Sequence, residues 1–237
     1  MTPLLELREL NAGYGGAAVV RNLSLTVSEG QVVTLLGPNG AGKTTTLFTA
    51  AGLLPPIGGD ALVFGRSVNG RRPQHIARDG MALVPEDRSL FFQLTVKENL
   101  RLGARKGGDI STAFEYFPKL EELLDRRAGL LSGGEQQMLA VGRALLTEPK
   151  LLMVDDMSLG LAPVIVQALL PILRRVADDK GCGILLVEQH VQLALEIADH
   201  AYVLAHGDLV LDSPAEPLRH DRSILESSYL GDRVLPG

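Results

Sequence analysis

A chain of 237 residues, 46% hydrophobic and 22% charged, has room for one large domain or two lobes and the make-up of an ordinary soluble globular protein. Its net charge of −5 removes any global electrostatic case for a nucleic-acid partner, and its single cysteine, Cys182, excludes an internal disulfide and suits a reducing cytosol. No apolar run approaches the ~20 residues that span a bilayer, and the N-terminus lacks a signal-peptide pattern, so any membrane role runs through a partner.

Residues 4–10 alternate in part and read as a strand, followed by a glycine turn over 11–16 that carries Tyr14. Residues 17–20 and 22–27 suggest a further strand or two, with Leu23, Leu25 and Val27 on one face. Tyr14 has two readings, a half-buried turn tyrosine or a face on which a nucleotide base stacks. Ser28-Glu29-Gly30 turns the chain into 31–36, a short apolar β-branched run and hence a buried strand. Gly37-Pro38-Asn39-Gly40-Ala41-Gly42-Lys43-Thr44-Thr45 follows at once and has the form G-x-x-x-x-G-K-[ST]. A helix then runs until Gly52 and Pro55-Pro56 end it. Strand, glycine loop and helix start make a phosphate cradle, because successive backbone N–H groups point inward and the helix dipole adds positive potential. Lys43 reaches the β- and γ-phosphates, and the Thr44 hydroxyl holds Mg²⁺. The loop therefore implies a bound nucleoside triphosphate but not what its energy drives.

Residues 58–65 read as a turn and short strand, 71–78 as a surface turn and short helix, and 81–84 as a second buried strand stopped by Pro85. The next loop exposes Phe91-Phe92 unless something covers them. From 95 to about 146 the pattern turns helical. Thr95-Val96-Lys97-Glu98 is a capping box, Phe114, Phe117, Leu120, Leu123 and Leu124 recur at three and four, and Gly107-Gly108 breaks the two. Ser132 is an N-cap residue, and Gly133-Gly134 leave backbone N–H groups open to an anion; alone, such a start is more often only a cap. Residues 151–156 form an apolar strand ending in Asp155 and Asp156. Two acids at a buried strand end need a cation, and beside a triphosphate that cation is Mg²⁺, held by Asp155 while Asp156 faces the attacking water. A turn over 158–163, a helix over 164–178 and a strand over 183–188 follow, and Cys182 reads as a small buried filler beside that strand. His190 stands where this strand gives way to a helix, at the sheet edge where ligands bind in open α/β folds. Residues 201–204 and 209–211 read as a hairpin, and 214–230 as two short helices.

Taken in order, Tyr14, the glycine loop, Glu86, Leu131-Ser132-Gly133-Gly134-Glu135-Gln136, Asp155-Asp156, residues 158–163 and His190 resemble the nucleotide-binding subunit of an ABC transporter over its full length. Val84-Pro85-Glu86, residues 95–100 and 158–163, Leu186-Val187-Glu188-Gln189 and Ser228-Tyr229-Leu230-Gly231 are most similar to the second ATPase of branched-chain amino-acid importers. The resemblance implies an α/β P-loop NTPase core, mainly parallel with an antiparallel β subdomain, over 1–87 and 147–237, with an inserted α-helical signature lobe over 88–146 in one ATPase domain. It implies ATP and Mg²⁺ as cofactors, with Gly37 to Thr45, Tyr14 and Ser132 to Glu135 binding nucleotide. Thr44, Glu86 and Asp155 would bind metal, and Lys43, Asp156 and His190, the last as a switch histidine, would serve hydrolysis. It also implies a head-to-tail dimer with a second ATPase subunit, identical or different, in which Gly133 and Gly134 touch the partner's ATP. Transmembrane permease subunits would dock near 86–92 on the cytoplasmic face of the membrane, with an extracytoplasmic solute-binding protein acting indirectly.

Two positions depart from the family pattern. Glu86 stands where glutamine is usual in the family; the branched-chain subgroup often carries glutamate there, and a carboxylate also suits Mg²⁺. Asp156 stands where the general base is glutamate, and Met157 follows where proline is usual. Aspartate is shorter by one methylene, which draws the carboxylate back by roughly 1.5 Å. A misplacement of about 1 Å can cost on the order of 10²-fold in rate, so this site is expected to bind ATP normally and hydrolyse it slowly. The competing cargoes are urea or short amides, other amino acids and exported lipid; a non-transport P-loop NTPase is the competing class.

Overall fold

The computed structural model of the chain describes residues 3–104 and 109–221. The expected break at Gly107-Gly108, the second tail helix and the Ser228–Gly231 ending lie outside the described residues. In chain order the elements are β1 (Leu5–Tyr14), β2 (Ala17–Val27), β3 (Val32–Leu36), α1 (Lys43–Ala50), β4 (Gly58–Val63), β5 (Arg66–Ser67), α2 (Pro73–Arg78) and β6 (Met81–Val84). Then come α3 (Val96–Gly103), α4 (Thr112–Tyr116), α5 (Gly133–Leu145), β7 (Leu151–Asp155), α6 (Pro163–Lys180), β8 (Gly183–Glu188), α7 (Val191–Ile197), β9 (His200–Ala205), β10 (Asp208–Pro214) and α8 (Ala215–His220).

The strands form one mixed sheet in the order β5-β4-β1-β2-β10-β9-β3-β8-β7-β6. From β9 to β6 every neighbouring pair is parallel, whereas β1, β2, β4 and β5 pair antiparallel. The central strands read as continuous apolar runs because both their faces are covered. Val32, Leu152, Val154, Ile184 and Leu186 face one core with α5, α6 and α7. Val33, Leu35, Leu151, Met153, Leu185 and Val187 face the other, under α1 and the antiparallel strands. This is the expected fold class.

Local detail differs from expectation in two places. β1 runs on through Tyr14, across the expected turn over 11–16, and of the strand or two expected over 17–27 there is one, with Asn22 at φ 46° inside it. The stretch 95–146 is helical but broken: α4 gives way at Phe117 to 3-10 turns over Pro118–Leu123 and Ala128–Leu130. Pro118 supplies no N–H to a preceding carbonyl, so α4 cannot continue through it.

Both capping boxes form. Thr95 Oγ1 accepts from the Glu98 N–H at 3.2 Å while Glu98 returns a bond to the Thr95 N–H at 2.8 Å. Ser132 and Glu135 do the same at the start of α5. Asn99, fully buried, holds the 91–95 loop: its side-chain oxygen accepts from the Phe91 N–H, and its amide donates to the Phe91 and Thr95 carbonyls, each at 3.0 Å. That anchor leaves Phe91 and Phe92 about half exposed. Cys182 is buried just ahead of β8, and burial pushes its thiol up to about 12.

Candidate nucleotide site

The glycine loop leaves β3 at the carboxyl edge of the parallel strands and enters α1. Gly42 has φ at 104°, and a Cβ there would meet Val20 Cγ2 at 2.4 Å, so only glycine allows β2 to approach this closely. The same hairpin carries Tyr14, exposed at the end of β1. Pro38, Asn39 and Gly40 are exposed, whereas Gly37, Ala41, Lys43 and Thr45 are buried and Thr44 is partly so.

Lys43 Nζ donates to the carbonyls of Gly37 at 2.8 Å and Pro38 at 3.0 Å, folding the loop over its own lysine. Burial lowers the Lys43 pKa, against the opposing pull of Asp156, Asp155, Glu188 and Glu86. These four carboxylates all act on one ammonium, which places Lys43 at the positive centre of an acidic cluster.

Asp155 ends β7, is 2% exposed, and has one carboxylate oxygen, Oδ2, with no hydrogen-bond partner. Burial pushes its carboxyl up to about 6, with the Thr44 hydroxyl bond and Lys43 pulling down and Glu86 and Asp156 pushing up. A buried acceptor left unpaired is costly, and here it sits beside a hydroxyl and within reach of a second acid's field. That is a fit for a hard divalent cation with oxygen ligands. No group of three or more His, Cys, Asp or Glu side chains forms a closed metal cage among the described residues. Mg²⁺ needs none, since it binds through one or two protein oxygens together with phosphate and water. Glu86 is exposed on the loop after β6.

Asp156 takes the left-handed backbone conformation, φ 42°, and its N–H donates to the Val187 carbonyl at 3.0 Å. Its carboxylate accepts from Ser158 Oγ at 3.2 Å and from Gln189 Nε2. The residue that reaches this carboxylate from the end of β8 is Gln189. His190 is exposed at the N-cap of α7 and makes no side-chain cap bond; Gln189, one residue earlier, turns to Asp156. The reason is positional: β8 ends at Glu188, Gln189 leaves it at the carboxyl edge, and His190 already belongs to the start of the helix.

Ser132 to Glu135 stand apart from the glycine loop, in the helical lobe at the start of α5. Gly133 and Gly134 pack against Leu161 and Ile165, where a Cβ would lie 3.0 and 2.8 Å from their side chains. Arg88 ties this helix to the loop of Glu86. Its guanidinium donates to Gln137 and Gln136 at 2.9 Å each and to the Leu159 carbonyl at 3.3 Å. Sequence reasoning passed over Arg88, Glu188 and Gln189 as site residues. Glu188 and Gln189 carried a usable signal, an acid closing a buried strand as Asp155 does.

Two cavities flank these features. The larger, 840 Å³, opens at the opposite edge of the sheet beside Glu29, Lys150 and Cys182, and none of the site residues lines it. A second of 520 Å³ lies between core and helical lobe, lined by Leu83, Arg88, Phe91, Leu102 and Arg143 among others.

A glycine loop, a buried lysine and a strand-end acid meeting at one sheet edge define a P-loop protein, built to bind a nucleoside triphosphate. The family model described as ABC transporter matches residues 20–158. The high-affinity branched-chain amino acid transport ATP-binding protein BraG of Pseudomonas aeruginosa is 39% identical over 96% of this chain and 100% of its own. The lipopolysaccharide export system ATP-binding protein LptB of Escherichia coli K12 is 32% identical over 96% of this chain and 97% of its own. A solved ATP-binding subunit of an ABC transporter superposes with a TM-score of 0.81 at 29% identity, covering 96% of this chain and 98% of that one. The chain belongs to the ABC transporter family, as one of its ATPase subunits.

Proposed function

We propose that this chain hydrolyses ATP to power a branched-chain amino-acid importer. The similarity to BraG along its full length carries the cargo assignment. The chemistry rests on the site itself. Lys43 exchanges its bonds to the Gly37 and Pro38 carbonyls for phosphate oxygens, so the loop opens onto nucleotide. Thr44, Asp155 and Glu86 would hold Mg²⁺, which would supply positive charge to the phosphates. Asp156 accepts the proton of the attacking water, and Tyr14 stacks on adenine.

Among the described residues, those within 1–87 and 147–237 form the nucleotide-holding part and those within 88–146 the signature lobe. Ser132 to Glu135 present their N–H groups to the ATP of a second ATPase subunit, placed head to tail. A permease subunit docks in the groove between lobe and core, where Phe91 and Phe92 meet it; exposed aromatics beside an apolar groove suit such a contact. An extracytoplasmic solute-binding protein delivers cargo to that permease. No helix of the described residues is long and apolar enough to cross a membrane, so attachment at the cytoplasmic face runs through the permease.

The shorter Asp156 makes this site the slower of a pair, the faster being completed by this chain's Ser132 to Glu135. With the partner's own catalytic glutamate replaced, so that only this chain's site turns over, Asp156→Glu is expected to raise ATP turnover about tenfold. Absence of any gain, or an Asp156→Asn variant as inert as loss of the partner's own glutamate, sinks the slow-site reading. Uptake of leucine but not urea by the same assembly tests the cargo.

A further inference from the structure

We propose that Gln189, locked by Glu188 and Ser158, is the positioning residue for Asp156, in the role that the sequence pattern assigned to His190. The proposal rests on the reading of this sheet edge as an ATPase site. The Asp156 carboxylate has two contacts from neighbouring segments, Gln189 Nε2 at Oδ2 and Ser158 Oγ at Oδ1. They are not equal. A serine hydroxyl has one hydrogen. Ser158 Oγ lies 2.6 Å from Glu188 Oε2 and 3.2 Å from Asp156 Oδ1, so the shorter contact claims it. The dependable donor to Asp156 is therefore the Gln189 amide.

Glu188 fixes that amide in place. It is completely buried, and burial raises its pKa. Its Oε1 accepts the Ser158 N–H at 3.0 Å, and its Oε2 accepts the Gln189 N–H at 3.2 Å as well as the Ser158 hydroxyl. One buried carboxyl thus joins the turn after β7 to the end of β8, the two segments that carry Asp156 and Gln189. The left-handed backbone of Asp156 needs such support, because a sparsely populated conformation persists only where its surroundings over-determine it. The side chain of His190 forms no hydrogen bond among the described contacts and faces solvent. An amide also differs from an imidazole in kind: it donates at every working pH and takes up no proton itself.

The experiment is steady-state ATP hydrolysis by the complete transporter carrying single variants of this chain, with the partner ATPase's own catalytic glutamate replaced so that turnover reads this chain's site alone. Gln189→Ala is expected to lower kcat at least tenfold with the KM for ATP within about threefold, since Asp156 is touched and the phosphate cradle is not. Gln189→Glu keeps the shape but turns an acceptor toward Asp156, and should fall as far as alanine. Gln189→His restores an N–H and should recover part of the loss. His190→Ala is expected to cost less than Gln189→Ala. A Gln189→Glu variant near wild type, or a His190→Ala variant worse than Gln189→Ala, overturns the proposal. A crystal structure of the chain reads the contact whatever the turnover, and a Gln189 amide facing away from Asp156 overturns it too. A wild-type chain that binds ATP, keeps that contact and never turns ATP over defeats the ATPase reading instead.

Discussion

Lys43→Ala is expected to reduce ATP hydrolysis at this chain's own site by about 10³-fold, the scale on which single preorganised donors to a developing charge act. The substitution also removes most of the site's positive potential. Lys43 stands against Asp155, Asp156, Glu86 and Glu188, and without its ammonium the incoming triphosphate meets that cluster unshielded. ATP affinity should therefore fall along with turnover. The loop is affected as well, because the bonds to the Gly37 and Pro38 carbonyls close it over the lysine. Fluorescent-nucleotide titration and single-site turnover of the assembled transporter measure both effects. Wild-type affinity and rate in Lys43→Ala would remove the glycine loop from the mechanism altogether.

Asp155→Asn should have opposite effects on activity and stability. Mg²⁺-dependent hydrolysis is expected to fall by about 10³-fold, because the amide offers no charge to the cation. The nucleotide-free chain, however, should gain about 2–3 kcal/mol at pH 7, since each tenfold change in proton affinity corresponds to about 1.4 kcal/mol. Asp155 is buried with an unpaired oxygen, and its carboxyl is pushed up to about 6. A folded-state value above the ordinary one means the folded chain holds that proton more tightly than the unfolded chain. The ionised group thus weakens the fold above pH 6, and the penalty fades as the pH falls through 6 toward the usual carboxylate range. Thermal unfolding without nucleotide should show wild type gaining on the variant between pH 7 and pH 5, and Mg²⁺-ATP should reverse their order at pH 7. A variant less stable than wild type at pH 7 would refute the account.

Both substitutions fall where the sequence was most legible. Strand, glycine loop and helix start are contiguous, so the cradle of 37–45 follows from local rules alone, as do the capping boxes at Thr95 and Ser132. Asp155 was legible because an acid closing an apolar run is anomalous without a cation. Contacts between distant segments were not. Arg88 reaches Gln136, Gln137 and Leu159 across 48, 49 and 71 residues, and nothing local in its loop announces those partners. Which side chain at the end of β8 contacts Asp156 depends on where β8 stops, because at a strand end a displacement of one residue sends the side chain to another face. The 3-10 turns after α4 were hidden for a related reason: their leucines keep a helical spacing that packing and Pro118 override.

One buried side chain has a practical meaning. Cys182 is the chain's sole thiol, closed off ahead of β8 and shifted far from the thiolate form that alkylating reagents attack. In the folded molecule it is expected to react slowly. A cysteine introduced at exposed Phe92 or Leu130 would then carry a spectroscopic label without competition from the native residue. Labelling of the native thiol would then report opening of the structure around the start of β8, so its rate is a clock for local unfolding at that sheet edge.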